Sequence, residues 1–389
     1  MGGAGADDVD GADDAAALDA ARTRLTRWLF EAALPLWWRA GADHARGGFH
    51  DKLAMDGTAV DLPKRVRVLA RQIFVFAEAG RLGWDGPWRA AVDHGIAFLP
   101  AYERPDGRYR ASVNDAGEPV AEAPDLYDQA FVIFALAAAY RASGRPAALR
   151  ERALALLGRL DALLRHPVAG YEEANPRRLP LRSNPHMHLL EALLAWVAAG
   201  ERGPFEARAH EIVALARERL IDPATGAIGE YYDGDWAFAA GPEGALREPG
   251  HQFEWAYLLD LAERLIGGDH REAILKLERF GSVHGVRGGL ALFSLDAGGA
   301  IVDGSSRLWA QSERLRTMLV LAPRLDPPAQ AAARAAAAES AATLERFLDA
   351  PTRGLWHERV DGGGRWIDEP VPASSLYHIV TGIVPLIER

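Results

Sequence analysis

The chain has 389 residues, 49% of them hydrophobic, a formal net charge of -10 and no cysteine. That length admits two ordinary domains or one large one. The acidic balance works against binding a phosphate backbone, so nucleic acid is not an expected partner, and the missing thiols exclude disulfides and thiolate metal sites.

Residues 1–14 are rich in Gly, Ala and Asp and lack the basic and apolar regions of a secretory signal. They are expected to form a disordered acidic tail on a cytoplasmic protein. Apolar residues at three- and four-residue spacing then predict twelve helices, at about 15–40, 64–82, 86–102, 124–143, 145–165, 184–200, 203–220, 250–267, 269–284, 306–323, 326–349 and 373–388. Between successive pairs lie short strand-like stretches with turn chemistry at Asp56-Gly57, Asn114-Asp115, Asp233-Gly234, Asp296 to Gly299 and Asp361-Gly362, all hairpin signals. The stretch Ala329 to Ala342 is interrupted by Arg334, Glu339 and Ser340. It reads as a helix of high propensity that is too short and too polar to cross a bilayer, and no membrane association is expected.

A glycine-led patch recurs six times, at Gly48-Phe49, Gly107-Arg108-Tyr109, Gly170-Tyr171, Gly226-Ala227-Ile228, Gly289-Leu290 and Gly354-Leu355-Trp356. Each patch precedes a helical pattern, so the unit is one patch and two helices. Six such units bury their apolar faces either as an open solenoid or as a closed ring. A solenoid needs polar caps, yet the first helix (Leu25, Leu29, Trp37) and the last (Ile379, Ile383, Leu386) are as apolar as the middle ones. The expected architecture is therefore all-α, a single (α/α)6 barrel over residues 15–389 with short β-hairpins at one end.

Equivalence of the units would gather Arg71, Tyr127, Asn184 with His188, His251 with Glu254, Trp309 with Gln311, and His378 at one mouth. Asn184 reads as an N-cap with Pro185 at the first helical position, and His188 shares its face. A satisfied core histidine is an equally good reading of His188, and His186 points elsewhere and reads as structural. His251 and Glu254 stand three apart at a helix start, where the carboxylate can accept the imidazole N–H and raise its basicity. The alternative is a surface ion pair, against which Phe253, Trp255 and Tyr257 argue. His378 opens an apolar helix and is either a catalytic or a core histidine. Arg67 and Arg71 share a face that runs into apolar residues, so each needs a carboxylate or a substrate oxygen as partner. Tyr127, Trp309 and Gln311 gain weight only from recurring at equivalent points. Aromatic faces beside polar tips suit a sugar.

No His-x-x-x-His pair carries a glutamate after its first histidine, and His186 and His188 diverge on a helix. No phosphate-cradling Gly-rich loop or Gly-x-Ser-x-Gly elbow is present. Neither a catalytic metal nor a cofactor is expected.

Taken together, Ala70-Arg71-Gln72, Asn184-x-x-x-His188-x-x-Glu191-Ala192, Gly250-His251-x-x-Glu254, Trp309-x-Gln311-x-Glu313 and Tyr377-His378 resemble the N-acylglucosamine 2-epimerase superfamily across about residues 20–389. The resemblance implies the (α/α)6 barrel and a monosaccharide as partner, with no signal for a particular oligomeric state. It implies that His251 and His378 are the acid/base pair at the C1–C2 edge of an opened sugar, that Arg71 holds the enediolate oxygen and that His188 assists ring opening. Tyr127, Asn184, Glu254 and Trp309 would line the site. Cellobiose epimerases carry a tryptophan five residues before the last histidine, where this chain has Ala373, and the Pro-Ala-Ser-Ser-x-Tyr-His version resembles the bacterial mannose isomerase branch. The expected reaction is interconversion of free D-mannose and D-fructose through a cis-enediol, with sugar 2-epimerisation as the alternative. A more distant alternative is a glycoside hydrolase using Glu191, Glu254 and Glu313.

Overall fold

The computed structural model describes residues 7–389, so the first part of the expected tail lies outside the described residues. From Asp7 onward the backbone is helical. The tail expected over 1–14 thus gives way to helix at Asp7, because the Ala15–Ala17 run has the highest helix propensity and the helix extends back from it.

Twelve helices of more than ten residues occur among the described residues, each where its apolar spacing predicts one. They are α1 (Asp7–Trp28), α2 (Val66–Arg81), α3 (Trp88–Phe98), α4 (Leu126–Ala142), α5 (Ala147–Leu164) and α6 (Ser183–Ala198). The second half of the chain supplies α7 (Pro204–Leu215), α8 (Pro249–Ile266), α9 (Arg271–Gly285), α10 (Leu308–Leu321), α11 (Pro327–Leu348) and α12 (Ser375–Ile387). The first helix continues to Gly41 through two five-residue π turns, Leu29–Ala33 and Trp37–Gly41. Between them Pro35 cannot donate a backbone hydrogen bond, and the wider turns absorb the break.

The even-numbered helices form an inner ring in which each packs on its even-numbered neighbours, and α12 returns to pack on α2. The odd-numbered helices lie outside, with α1 against α11 and α12 closing the outer layer. An inner helix touches neighbours on every side, which is why α4 is buried nearly all round from Leu126 to Tyr140. Outer helices bury one stripe, as α11 does with Ala333, Ala337, Ala341 and Leu344. The ring closes by backbone pairing too: strand 52–53 pairs antiparallel with 371–372, and Gln72 donates to the Ala373 carbonyl at 2.8 Å.

All six patch glycines, Gly48, Gly107, Gly170, Gly226, Gly289 and Gly354, have φ between 66° and 98°. This left-handed backbone turns the chain off each outer helix and favours glycine because it carries no Cβ. The patch residues then hang on the next inner helix. Gln129, Gln252 and Gln311 each use Oε1 to accept, and Nε2 to donate to, the backbone of Tyr109, Ile228 and Ala291 respectively, at 2.8–3.0 Å. His186 takes the same place in the third unit, where its Nε2 accepts from the Tyr171 backbone N–H at 3.1 Å. A clamped residue at the centre of the first turn leaves the positions two before and two after it on the opposite, axial face, since two residues rotate a helix by about 200°.

Candidate active site

The axial positions so defined are Tyr127 and Phe131, Asn184 and His188, Gly250 and Glu254, and Trp309 and Glu313, and Arg67 and Arg71 share the same spacing on α2. At the hairpin end of the barrel lies a cavity of about 240 Å³, walled by Arg71, Tyr127, Asn184, His188, His251, Glu254, Trp309 and His378, together with Glu248, Arg307, Glu358, Ser374 and Ser375. The volume lies below the roughly 300–1,000 Å³ of drug-sized ligand sites and suits a small polar molecule.

Eight of the nine residues expected at the mouth wall this cavity; Gln311 does not, and neither does Arg67, for which a carboxylate or a substrate oxygen is the expected partner. Gln311 stands two residues from Trp309 and so faces outward, where its amide is consumed by the Ala291 backbone and the Arg307 carbonyl. It is a structural clamp and not a substrate-binding residue. Arg67 finds a carboxylate: its Nε lies 2.6 Å from Oδ1 of the fully buried Asp128, and its guanidinium stacks 5.0 Å from the Tyr127 ring. It supports Tyr127 from outside the cavity.

Two local expectations change. Helix α6 begins at Ser183 after strand 181–182, so Asn184 lies inside the first turn and is not the N-cap. Strand pairing has replaced the cap, and the Asn184 side chain reaches Nε2 of His251 at 3.3 Å instead. The partner of His251 is not Glu254 but Glu230, whose Oε2 lies 2.7 Å from Nδ1. Glu230 comes from the segment before strand 231–232 and has no helical spacing to announce it.

Each histidine of the cavity has its own carboxylate. Nδ1 of His188 lies 3.2 Å from Glu191, Nδ1 of His251 lies on Glu230, and Nδ1 of His378 lies 2.9 Å from Glu313. Such pairing turns Nε2 of His251 and of His378 toward the cavity. Trp309 sits between these two imidazoles, 5.1 Å from the ring of His251 and 5.6 Å from that of His378. On the opposite wall Arg71 donates to the Tyr127 hydroxyl at 2.7 Å and lies 4.0 Å over the Phe131 ring.

Below the cavity a charged layer closes the barrel. Arg316, 2% exposed, is held by Glu313 and lies 3.8 Å from Glu191 and 3.7 Å from Glu254. The Tyr377 hydroxyl donates to Glu191. A second cavity of about 260 Å³ opens beneath this layer at the other end of the barrel, with Arg316 and Glu191 in its floor and no histidine in its walls. The chemistry therefore belongs to the hairpin end.

These surroundings separate the imidazoles. Burial depresses His378 well below its usual range, and Arg71 and Arg316 add to that. Burial also depresses His188, to about 4, against the pull of Glu191. For His251 burial is outweighed by Glu230 and Glu248, and its pKa rises to about 10. At neutral pH the cavity thus holds a neutral His378 facing an imidazolium His251. Glu254 is pushed well above the carboxylate range by burial and by Glu313, and neither of its oxygens has a hydrogen-bond partner among the described residues. The Asn184 Oδ1 and Arg71 Nε atoms are likewise buried and unpartnered. Buried polar atoms rarely stay unsatisfied, so these mark where a ligand's hydroxyls would go.

Three sets of side chains bring ligand atoms within 4.8 Å: His188, Glu191 and Glu254; Glu230, Glu248 and His251; and Glu254, Glu313 and His378. In each the imidazole nitrogen already holds a carboxylate, and in the first and third the Arg316 guanidinium supplies the positive charge those carboxylates require. The donors fit an acid/base relay better than a divalent cation.

A ring of six helical hairpins with imidazoles, carboxylates and a guanidinium in its axial cavity defines an enzyme of the (α/α)6-barrel class. The family model of N-acylglucosamine 2-epimerase (GlcNAc 2-epimerase) matches residues 47–382, and the chain belongs to that family of sugar isomerases and epimerases. It is 40% identical over 379 residues to a "Mannose-6-phosphate isomerase" of Rhizobium meliloti, covering 93% of this chain and 95% of that one. Among solved structures, a cellobiose 2-epimerase from Bacillus thermoamylovorans superposes with a TM-score of 0.84 at 19% identity, over 95% of this chain and 99% of the other. A D-mannose isomerase superposes with a TM-score of 0.81 at 19% identity, over 92% and 96%. At such identities the two structures speak for the shared fold. No helix among the described residues is long and apolar enough to cross a membrane.

Proposed function

We propose that the protein interconverts free D-mannose and D-fructose by proton transfer through a cis-enediol(ate). The observation that carries this reading is the pair His378 and His251, set on either side of Trp309 with opposite protonation. A general base must be neutral and a general acid protonated at working pH, and here each is held so by its neighbours. His378 takes the proton from C2 of the open-chain aldose while His251 gives one to O1. The O2 proton then passes to His251 as His378 returns its proton to C1, so atoms and charge balance. Arg71, fixed by Tyr127 and Phe131, stabilises the enediolate oxygen, which is where a preorganised cation lowers the barrier most. His188, neutral and beside O1 and O5, assists ring opening, and Asn184, Glu254 and Trp309 position the sugar.

The name of the 40% identical relative supports an aldose–ketose outcome on a mannose skeleton. Epimerisation at C2 is the second reading, because imidazoles on separate helices, α8 and α12, could act on opposite faces of one carbon. Hydrolysis fits less well, since Glu191 and Glu313 are committed to His188 and His378. NMR of D-mannose in D2O with the enzyme tests the choice. Fructose should appear, with deuterium at C1 only to the extent that the His378 imidazolium exchanges with solvent before it returns the proton. Deuterated glucose appearing first, without ketose, would show epimerisation instead.

A further inference from the structure

Arg307, Glu358 and Glu248 line the cavity and have no part in those proton transfers. Arg307 stands just before α10, with its guanidinium 4.3 Å over the Phe293 ring and no hydrogen bond or ion pair among the described residues. Glu358 is held in place from two sides: its Oε1 accepts from the Ser375 hydroxyl at 3.0 Å and its Oε2 from Nε1 of the buried Trp356 at 3.2 Å. Strand pairing fixes the two together, since 306–307 lies antiparallel to 359–360 and the Leu308 N–H donates to the Glu358 carbonyl. Glu248 completes the set from the entrance of α8, with its side chain 22% exposed and an oxygen 3.9 Å from His251.

Glu248 immediately precedes α8, Arg307 immediately precedes α10, and the Glu358 carbonyl is held by the Leu308 N–H at the start of α10, so all three stand at helix starts of the hairpin end, beside His251 and Trp309 in the same cavity. A sugar whose C1–C2 edge lies between the imidazoles must direct its other end toward them. A guanidinium and a fixed carboxylate there offer a donor and an acceptor to hydroxyl groups, and the Arg307 guanidinium, like the Glu254 oxygens, has no hydrogen-bond partner among the described residues and can take one from a sugar. Burial raises Glu248 and Glu358 to about 7, so near neutral pH two partly ionised carboxyl groups offset the one guanidinium and offer a phosphate dianion little net positive charge.

We propose that Arg307 and Glu358, with Glu248 beside them, form a specificity-determining subsite for the C5–C6 end of the open-chain sugar, selecting a free hydroxymethyl end over a phosphorylated one. The proposal rests on the reading that this site turns over a monosaccharide. Its test compares D-mannose, D-lyxose (the same sugar without C6) and D-mannose 6-phosphate on the wild type, Arg307→Ala and Glu358→Gln. For D-mannose, kcat/KM should fall about tenfold or more in each variant, mostly through KM. D-lyxose, which keeps the C5 hydroxyl but has no C6, should lose less than D-mannose in each variant, and thermal melts report that the variants fold. Glu358→Gln should narrow the gap between D-mannose and its 6-phosphate. Equal losses on both free sugars would overturn the subsite. A wild type that prefers the 6-phosphate and loses that preference in Arg307→Ala would overturn it in favour of a phosphate site. Failure of the wild type on all three sugars is a different result, and sinks the proposed function itself.

Discussion

Glu313 holds His378 from below: its Oε1 lies 2.9 Å from the imidazole Nδ1 while its other oxygen grips Arg316. The proposed base is thus aimed by a carboxylate that is itself anchored in the buried charge layer. Substituting Glu313 by Ala should cut kcat at least tenfold with little change in KM, because the imidazole loses its orientation and not its place. Steady-state kinetics on D-mannose checks this. An equal rise in KM would mean that the cavity itself had collapsed.

The pH profile follows from the split imidazoles. His378 is depressed, so no acid limb should appear until well below pH 6.5, and activity should decline on the alkaline side as His251 loses its proton near 10. Glu230→Gln removes the strongest support for that proton and should move the alkaline limb to lower pH. A limb that stays put in the variant would reassign it to another group.

The same pair bears on stability. The pKa of His251 is raised on folding from 6.5 to about 10, so its contribution is complete below 6.5 and is lost as pH rises through about 10. The melting temperature of Glu230→Gln should therefore lag the wild type most in mildly acidic buffer, and the gap should narrow as pH approaches 10. Thermal scans across pH would show the gap widening instead if the sign were wrong.

Gly250 makes room for Trp309. A Cβ at this position would stand 2.5 Å from both Cη2 and Cζ3 of the indole. Gly250→Ala should push the ring from its seat between the two imidazoles and lower kcat/KM by more than tenfold, with only a small loss of stability. Trp309→Phe in the same chain, which shortens the ring, should recover part of the loss. No recovery would place the damage in the helix start and not in the ring.

Gln311 should act on the fold. Its amide satisfies the Ala291 N–H and carbonyl and the Arg307 carbonyl, all at 2.9–3.0 Å. Gln311→Ala leaves these buried groups without partners and should cost about 2–4 kcal/mol of unfolding free energy. The KM for sugar should move little. Urea melts paired with kinetics separate the two effects.

Much of this architecture was legible along the chain because both of its signals are local. Helix periodicity needs only a window of a few turns, and the left-handed turn at Gly48 and its five counterparts needs only glycine at a regular interval. Residues four apart on one helix were likewise readable as sharing a face, which is how Asn184 and His188 come to the same cavity. The spacing of two between Trp309 and Gln311 carried the opposite message: a rotation of about 200° sends one side chain to the axis and the other to the backbone of the preceding turn.

The sequence by itself determined the twelve helices, the sixfold turn and the set of polar side chains at helix starts, since each depends on backbone preference and on neighbours within a turn. Beyond the local pair His188 and Glu191, three residues apart on α6, which carboxylate belongs to which histidine was decided only in three dimensions. Glu230 meets His251 across 21 residues, Glu313 meets His378 across 65, and Arg316 joins Glu191 and Glu254 from a third helix. These pairings arise from ring closure, and no local pattern encodes them. They also set the protonation of each imidazole, because a charge buried in the barrel is governed by whatever the other helices bring within about 4 Å of it.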